Sequence, residues 1–242
     1  MKAVSRSTDR SIAHDPPQAR QHASSVILRA PRSPPMDGPI DSGAKRFMDV
    51  GFSLLAVGVL GPLILGIAAA IWLTDGRPIF IRHERLGRYG TKFQCMKFRS
   101  MVRDADTILA RVLETNTDAR REWEANQKLK QDPRVTALGR YLRVTSLDEL
   151  PQLFNVLRGE MSLVGPRPIV EAEVIRYGEF FDRCFSVSPG ITGLWQVSGR
   201  SARSYSERVA MDCAYAARRS ILLDVWILMK TLPAVLMRRG SY

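Results

Sequence analysis

Val50 to Leu73 is a run of 24 residues that carries no charge. As a helix rising about 1.5 Å per residue it would reach roughly 36 Å, enough to cross a hydrocarbon core. A helix of that length in a soluble core ordinarily keeps a polar face, so this chain is expected at a membrane. Two features bear on how it sits there. Pro62, preceded by Gly61, removes a helical hydrogen bond in mid-segment and disfavours helix at the residue before it. Lys45 and Arg46 flank one end, and Arg77, Arg82, Arg85, Arg88 and Lys92 follow the other. Positive residues mark the cytoplasmic side. Basic flanks at both ends favour a re-entrant hairpin, broken at Gly61 and Pro62, over a kinked single span, which membranes also tolerate.

Ahead of this segment, residues 1–44 read as a disordered tail. Pro16, Pro17, Pro31, Pro34, Pro35 and Pro39 interrupt it, and Ser, Arg and Gln fill it. No apolar core of a secretory signal falls within it. The formal net charge of +12 calls for an anionic partner: nucleic acid, an acidic lipid surface or a phosphorylated substrate. Cys95, Cys184 and Cys213 are far apart and make no CxxC pair. Neither a zinc site nor a disulfide framework is expected from them, and a reducing compartment is. The histidines, His14, His22 and His83, are too scattered to build a Ser-His-Asp or Cys-His site.

Beyond the apolar run, short alternating stretches separated by Gly87 and Gly90 predict a β-hairpin. Ala105, Ile108, Leu109 and Val112 predict an amphipathic helix over residues 103–127, which Asp132-Pro133 breaks. A second helix is expected from Ser146, with Leu150, Leu153, Phe154 and Leu157 as its apolar stripe and Gly159 as its stop. Residues 168–182 suggest another short helix, and 189–200 a loop or irregular strand. Residues 204–237 read as helical, with an apolar surface around Ile221, Leu222, Val225 and Trp226 that belongs in a core or at a membrane interface.

The chemistry concentrates in Thr145-Ser-Leu-Asp-Glu-Leu-Pro-Gln152 and Met161-Ser-Leu-Val-Gly-Pro-Arg-Pro168. Ser146 and Glu149 match a capping box, which would make Glu149 structural. Against that, Asp148 falls in the first turn, where a helix favours an ionised carboxylate. Arg143 precedes it and Arg167 follows, each able to hold a phosphate oxygen bidentately. An ionised Asp148 can attack phosphorus. Glu149 and Asp148 can hold Mg²⁺, which takes one or two carboxylates and completes its shell with phosphates. The prolines of Gly165-Pro-Arg-Pro168 stiffen the backbone around Arg167. In Pro189–Arg200, Trp195 offers a ring for a base or for the core, and Arg200 a guanidinium for phosphate. Asp104-Ala-Asp106 has the DxD spacing of metal-dependent glycosyltransferases, but on a helix the two residues do not share a face. It is expected to be a solvated helix surface.

In these blocks the chain resembles the bacterial sugar transferases, in particular the monotopic phosphoglycosyl transferases that initiate exopolysaccharide synthesis on undecaprenyl phosphate. The resemblance covers residues 44–240. It is carried by Lys45–Asp49, Gly76–Phe80, Phe93–Met101, Asp132–Thr136, Ser146–Val156, Gly159–Pro168 and Pro189–Val197 in that order. It implies an α+β fold: a re-entrant membrane helix over residues 45–75, then a small β-hairpin and several amphipathic or interfacial helices. Residues 76–242 would form the catalytic domain, on the cytoplasmic face of the bacterial inner membrane. It implies Mg²⁺, a UDP-hexose donor and a polyprenyl phosphate acceptor. Asp148 would be the nucleophile, Glu149 its metal-binding neighbour, and Arg143 and Arg167 the phosphate ligands; UMP would be released. Asp212 and Tyr215 also sit in a recurrent block. Acidic membrane lipids are expected partners and nucleic acid is not; self-association is left open. Two other readings stay open, a single-span metal-dependent glycosyltransferase and a non-enzymatic basic membrane adaptor.

Overall fold

The computed structural model describes residues 43–126, 129–199 and 204–236. The tail over 1–44, save its last two residues, and Arg200 lie outside these. Helix α1 (Gly43–Thr74) takes up the whole apolar run as one helical element of 32 residues, assigned through Gly61 and Pro62 without interruption. It is clad in apolar side chains that face outward: Leu55 is 61% exposed, Val59 69% and Leu65 72%. A helix that turns its leucines away from its own protein belongs in lipid rather than water. Its inward residues are few: Asp49, Ser53, Ile64, Ile67 and Ile71.

Those few residues fasten both ends of α1 to the rest of the chain. Strands β1 (Phe80–Leu86) and β2 (Lys92–Phe98) form the expected antiparallel hairpin, with His83 opposite Cys95 and Ile81 opposite Lys97. Ile64, Ile67 and Ile71 cluster with Phe98 of β2 and with Leu142. Just past the end of α1, Arg99 donates to the carbonyls of Asp75 (2.6 Å) and Gly76 (2.8 Å).

The helix expected over 103–127 is two helices, α2 (Ala105–Thr115) and α3 (Thr117–Asn126). Asn116 parts them: its backbone is extended, and its Oδ1 accepts the N–H groups of Asp118 and Ala119, starting a new helix. Asp104 and Asp106 sit exposed at the start of α2, as expected of a solvated face. Helix α4 (Ala137–Val144) is capped by Thr136, whose hydroxyl accepts from Gly139 N. It packs so close to the preceding segment that a Cβ on Gly139 would run into the Ser100 backbone.

The helix expected from Ser146 starts later. Ser146 has a left-handed backbone (φ 58°) and makes no side-chain cap, so the capping box does not form. A 3-10 turn (Leu147–Glu149) comes first, and α5 (Gln152–Arg158) follows Pro151. Buried Asn155 ties α5 to β2, accepting from Met96 N (2.9 Å) and donating to Gln94 O (2.8 Å).

Strand β3 (Ser162–Val164) runs parallel to β4 (Gly190–Thr192), a pairing that distance in sequence conceals. Residues 168–182 hold several single turns in place of one helix, among them α6 (Val174–Tyr177) and the start of α7 (Phe181–Cys184). Residues 189–199 comprise β4 and the short α8 (Leu194–Val197). The helical stretch from 204 is α9 (Tyr205–Arg218) and α10 (Ile221–Leu236).

The expectation that the cysteines make no disulfide is overturned: Cys184 of α7 and Cys213 of α9 form one, with Cα atoms 4.5 Å apart. Spacing along the chain hid it, because α7 and α9 meet only in the folded core around Phe181, Phe185 and Val209.

A buried polar network bolts the start of α1 to this scaffold. Lys45 Nζ lies 2.7 Å from Asp224 Oδ2 of α10. Tyr215 of α9 donates to Asp224 Oδ1 at 2.7 Å, with its hydroxyl 2.9 Å from the Val164 carbonyl. Asp49 accepts from Leu163 N (3.1 Å). Arg46 donates to the carbonyls of Val156 (2.5 Å) and Leu157 (2.8 Å) at the C-terminal end of α5, and the Val156 carbonyl also accepts from Gly159 N (3.0 Å).

Candidate active site

The 3-10 turn presents Asp148 and Glu149 beneath the β-hairpin. Period-two alternation puts His83, Arg85 and Lys97 on one hairpin face. Lys97 Nζ reaches Glu149 Oε1 at 2.5 Å. Burial alone would raise the Glu149 carboxyl, but Lys97 and Arg167 outweigh it and hold the group below the usual range. Asp148 differs. It is 9% exposed, and burial pushes its carboxyl up to about 6, against the pull of Lys97 and Arg143 and with the push of Glu149. Two adjacent carboxylates are thus driven apart in acidity by their surroundings.

Arg143, in the last turn of α4, is oriented by its Nε–H, which donates to Ser100 Oγ at 2.9 Å. Burial lowers its pKa, partly offset by the neighbouring Asp148 and Asp132. Arg85 is lowered by burial and by Arg167 close by, and it lies 3.9 Å from Glu173. Burial, then Arg85, Lys97 and Arg143, keep His83 from protonating at its ordinary pH. A histidine depressed by three cations reports the local field. Around two carboxylates the fold gathers Arg85, Lys97, Arg143 and Arg167, an excess that suits a diphosphate.

Arg167 follows β3 in the turn Gly165-Pro-Arg-Pro168. That turn packs backbone to backbone on the β4 segment: a Cβ on Gly165 would meet the Ser188 carbonyl, and one on Gly190 would meet Gly165 N. Asp212 of α9 lies beneath. Burial lifts its carboxyl to about 7, while the Tyr177 hydroxyl (2.8 Å) and the Arg167 backbone N–H both donate to it. The Arg167 guanidinium lies 5.9 Å from the centre of the Trp195 ring, and that of Arg208 lies 4.8 Å from it. Trp195 is 6% exposed. It serves the core and seats two guanidinia, so base stacking on its ring is not its arrangement here. Trp195 Nε1, Arg208 Nε and Asp212 Oδ1 are buried without hydrogen-bond partners.

Of the residues expected from the sequence, the fold brings together Asp148, Glu149, Arg143 and Arg167, with Trp195 behind Arg167. Gly61 and Pro62 lie in α1, and Arg200 is not among the described residues. Sequence reasoning missed Lys97, Arg85, His83 and Arg208. The hairpin's own alternation carried the signal for the first three: Arg85 is two residues from His83, and the register places Lys97 on that face. Two cavities, of about 490 and 240 Å³, lie away from the dyad.

The pattern of the family described as bacterial sugar transferase matches residues 40–238. The exopolysaccharide production protein ExoY of Sinorhizobium fredii is 47% identical over 204 residues, covering 84% of this chain and 90% of that protein. The UDP-galactose-lipid carrier transferase of Erwinia amylovora is 50% identical over 198 residues, 82% of this chain and 41% of its own. The undecaprenyl-phosphate galactose phosphotransferase of Salmonella typhimurium is 48% identical over 198 residues, again 82% and 41%. The chain thus spans nearly all of the first and about two-fifths of the other two.

Proposed function

The chain belongs to the bacterial sugar transferase family, and from that premise we propose that it is a phosphoglycosyl transferase. It takes a hexose-1-phosphate from a UDP-sugar and gives it to polyprenyl phosphate at the membrane, the step that initiates an exopolysaccharide. The observation that carries this reading is the buried Asp148 in a field of cations, next to a carboxylate already held by Lys97.

In the reaction, an Asp148 oxygen attacks the phosphorus that bears the sugar. A bond forms from Asp148 to phosphorus, and the bond to the bridging diphosphate oxygen breaks, releasing UMP. The polyprenyl phosphate oxygen then attacks the same phosphorus and Asp148 leaves as a carboxylate. One phosphoryl linkage replaces another at each step, so rate must come from placement and charge. Arg143 and Arg167 hold the phosphates, Lys97 keeps Glu149 ionised and oriented, and burial makes Asp148 a more basic nucleophile than a solvated carboxylate. The donor set fits Mg²⁺: two hard carboxylates, no sulfur or imidazole required, and remaining positions for phosphate oxygens. Asp148 and Glu149 would hold it, and when bound it would neutralise charge on the transferring group.

Nucleotide release tests the reaction. UDP-galactose with polyprenyl phosphate should yield UMP, and a chelator should stop it. UDP as the product would mean glycosyl transfer instead.

The pH dependence follows from Asp148. A nucleophile with its carboxyl at about 6 is ionised above that pH and protonated below it. Turnover should therefore rise with pH to half its maximum near 6, in a single-turnover measurement of UMP. A profile already flat from pH 4.5 upward would contradict the role given to Asp148.

Both ends of α1 are fixed to one body: Lys45, Arg46 and Asp49 at the start, Ile71 and the Asp75 carbonyl at the finish. This supports a re-entrant helix with both ends on one face of the membrane, and the basic residues at both flanks, Lys45 and Arg46 before it and Arg77 to Lys92 after it, favour the cytoplasmic one. Cysteines placed at 43 and 76 should be labelled from the same side of sealed vesicles; labelling from opposite sides would exclude the hairpin.

A further inference from the structure

A groove of about 490 Å³ runs between α9 and the α6–α7 turns, away from the dyad. Its floor is one face of α9, Ala210, Ala214 and Ala217, together with Val209 and Phe180. Small side chains one turn apart leave a mostly apolar trough, which Ser206 and Cys213 also line. Its rim carries Arg176, Arg183 and Arg218, all exposed. None of the three lies within ion-pair distance of a carboxylate among the described residues, and no carboxylate lines the groove. Three cations without counter-ions around an apolar trough complement a molecule with an anionic head and a hydrocarbon body.

The groove's position identifies the source of such a molecule. Arg219, the next residue after Arg218, shares the 240 Å³ cavity with Lys45 and Arg46, where the chain enters the apolar helix α1. Helix α10 begins two residues on. Its Asp224 pairs with Lys45, while Leu222 is 83% and Met229 65% exposed. An exposed apolar face beside the mouth of a lipid-embedded helix lies at the membrane surface. The Arg218 end of the groove therefore opens there.

We propose that this groove binds one anionic phospholipid, with the phosphodiester among Arg176, Arg183 and Arg218 and an acyl chain along Ala210, Ala214 and Ala217. The site is separate from the sugar-transfer chemistry. It would hold the α9–α10 corner to the bilayer and so keep the dyad at the height of the acceptor's phosphate.

Native mass spectrometry of the full chain, released from vesicles of mixed phosphatidylglycerol and phosphatidylcholine, tests this without any activity readout. The wild-type protein should retain phosphatidylglycerol in preference to phosphatidylcholine. The triple variant Arg176→Gln, Arg183→Gln, Arg218→Gln should retain about tenfold less or lower still. Ala214→Trp, which fills the trough and leaves the arginines, should also lose the lipid. Removing three charges elsewhere, by Arg111→Gln, Arg120→Gln and Arg121→Gln, should leave retention as it was. Thermal melting checks that each variant is folded. Equal retention by the groove variants, an equal loss in the control triple, or a dimer occupying the groove in place of lipid would overturn the proposal.

Discussion

Asp148→Asn is expected to abolish sugar-phosphate transfer, lowering kcat by at least about 10³-fold, while the protein stays folded. The side chain keeps its shape and loses the oxygen that forms the bond to phosphorus. A loss of that size from a single atom's chemistry would separate an enzyme from a basic membrane adaptor, which has no turnover to lose. Stability should move the opposite way. Burial raises the Asp148 carboxyl from 3.8 to about 6, so the folded state binds its proton more tightly than the unfolded chain does. Folding stability from this group is highest below the unfolded value and declines as pH rises to about 6. Above that, the ionised carboxylate costs on the order of 3 kcal/mol. The neutral amide relieves part of that cost at pH 7.5, and the melting temperature should rise. An inactive variant more stable than its parent cannot owe its inactivity to unfolding.

Arg167→Ala should lower kcat/KM by about 10²–10³-fold, the usual effect of removing one preorganised donor from a developing phosphate charge. Arg167→Lys should restore only a small part. A lysine keeps the charge but gives up the planar fork that grips two phosphate oxygens and stacks on Trp195. The arrangement around Arg167 explains why its placement is rigid. Its backbone N–H is held by Asp212, and its turn leaves no room for a side chain at Gly165. Steady-state kinetics with UDP-galactose and polyprenyl phosphate measure both variants. A lysine variant as fast as wild type would reduce Arg167 to a point charge.

Much of this site could be read along the chain, for a physical reason. Asp148 and Glu149 are adjacent, and Arg143 lies only five residues before Asp148, so little chain separates the three. The apolar run and the hairpin were equally legible, the first through its length without charge and the second through its alternation. What escaped notice depends on contacts between distant segments. Lys97 reaches Glu149 only because β2 crosses over the 3-10 turn. Cys184 meets Cys213 only because α7 lies on α9. Arg208 stands beside Trp195 through the packing of α8 on α9. Ser146 shows the converse error. Its spacing to Glu149 suits a cap, but Pro151 delays the helix and a left-handed backbone turns the serine away. Asp212 and Tyr215 had no evident role in the sequence. In the fold the first anchors the Arg167 backbone, and the second joins β3 to Asp224 and hence to Lys45 at the head of the membrane helix.

The central claim is a covalent one, and a trapping experiment reaches it directly. The full-length protein in membrane vesicles is mixed with UDP-sugar labelled in the hexose, without polyprenyl phosphate, then quenched and digested. Label should remain on the peptide that contains Asp148, in amounts matched by UMP, and should leave when polyprenyl phosphate is added before the quench. Labelled lipid product formed at full rate, with no label ever on that peptide, would contradict the account.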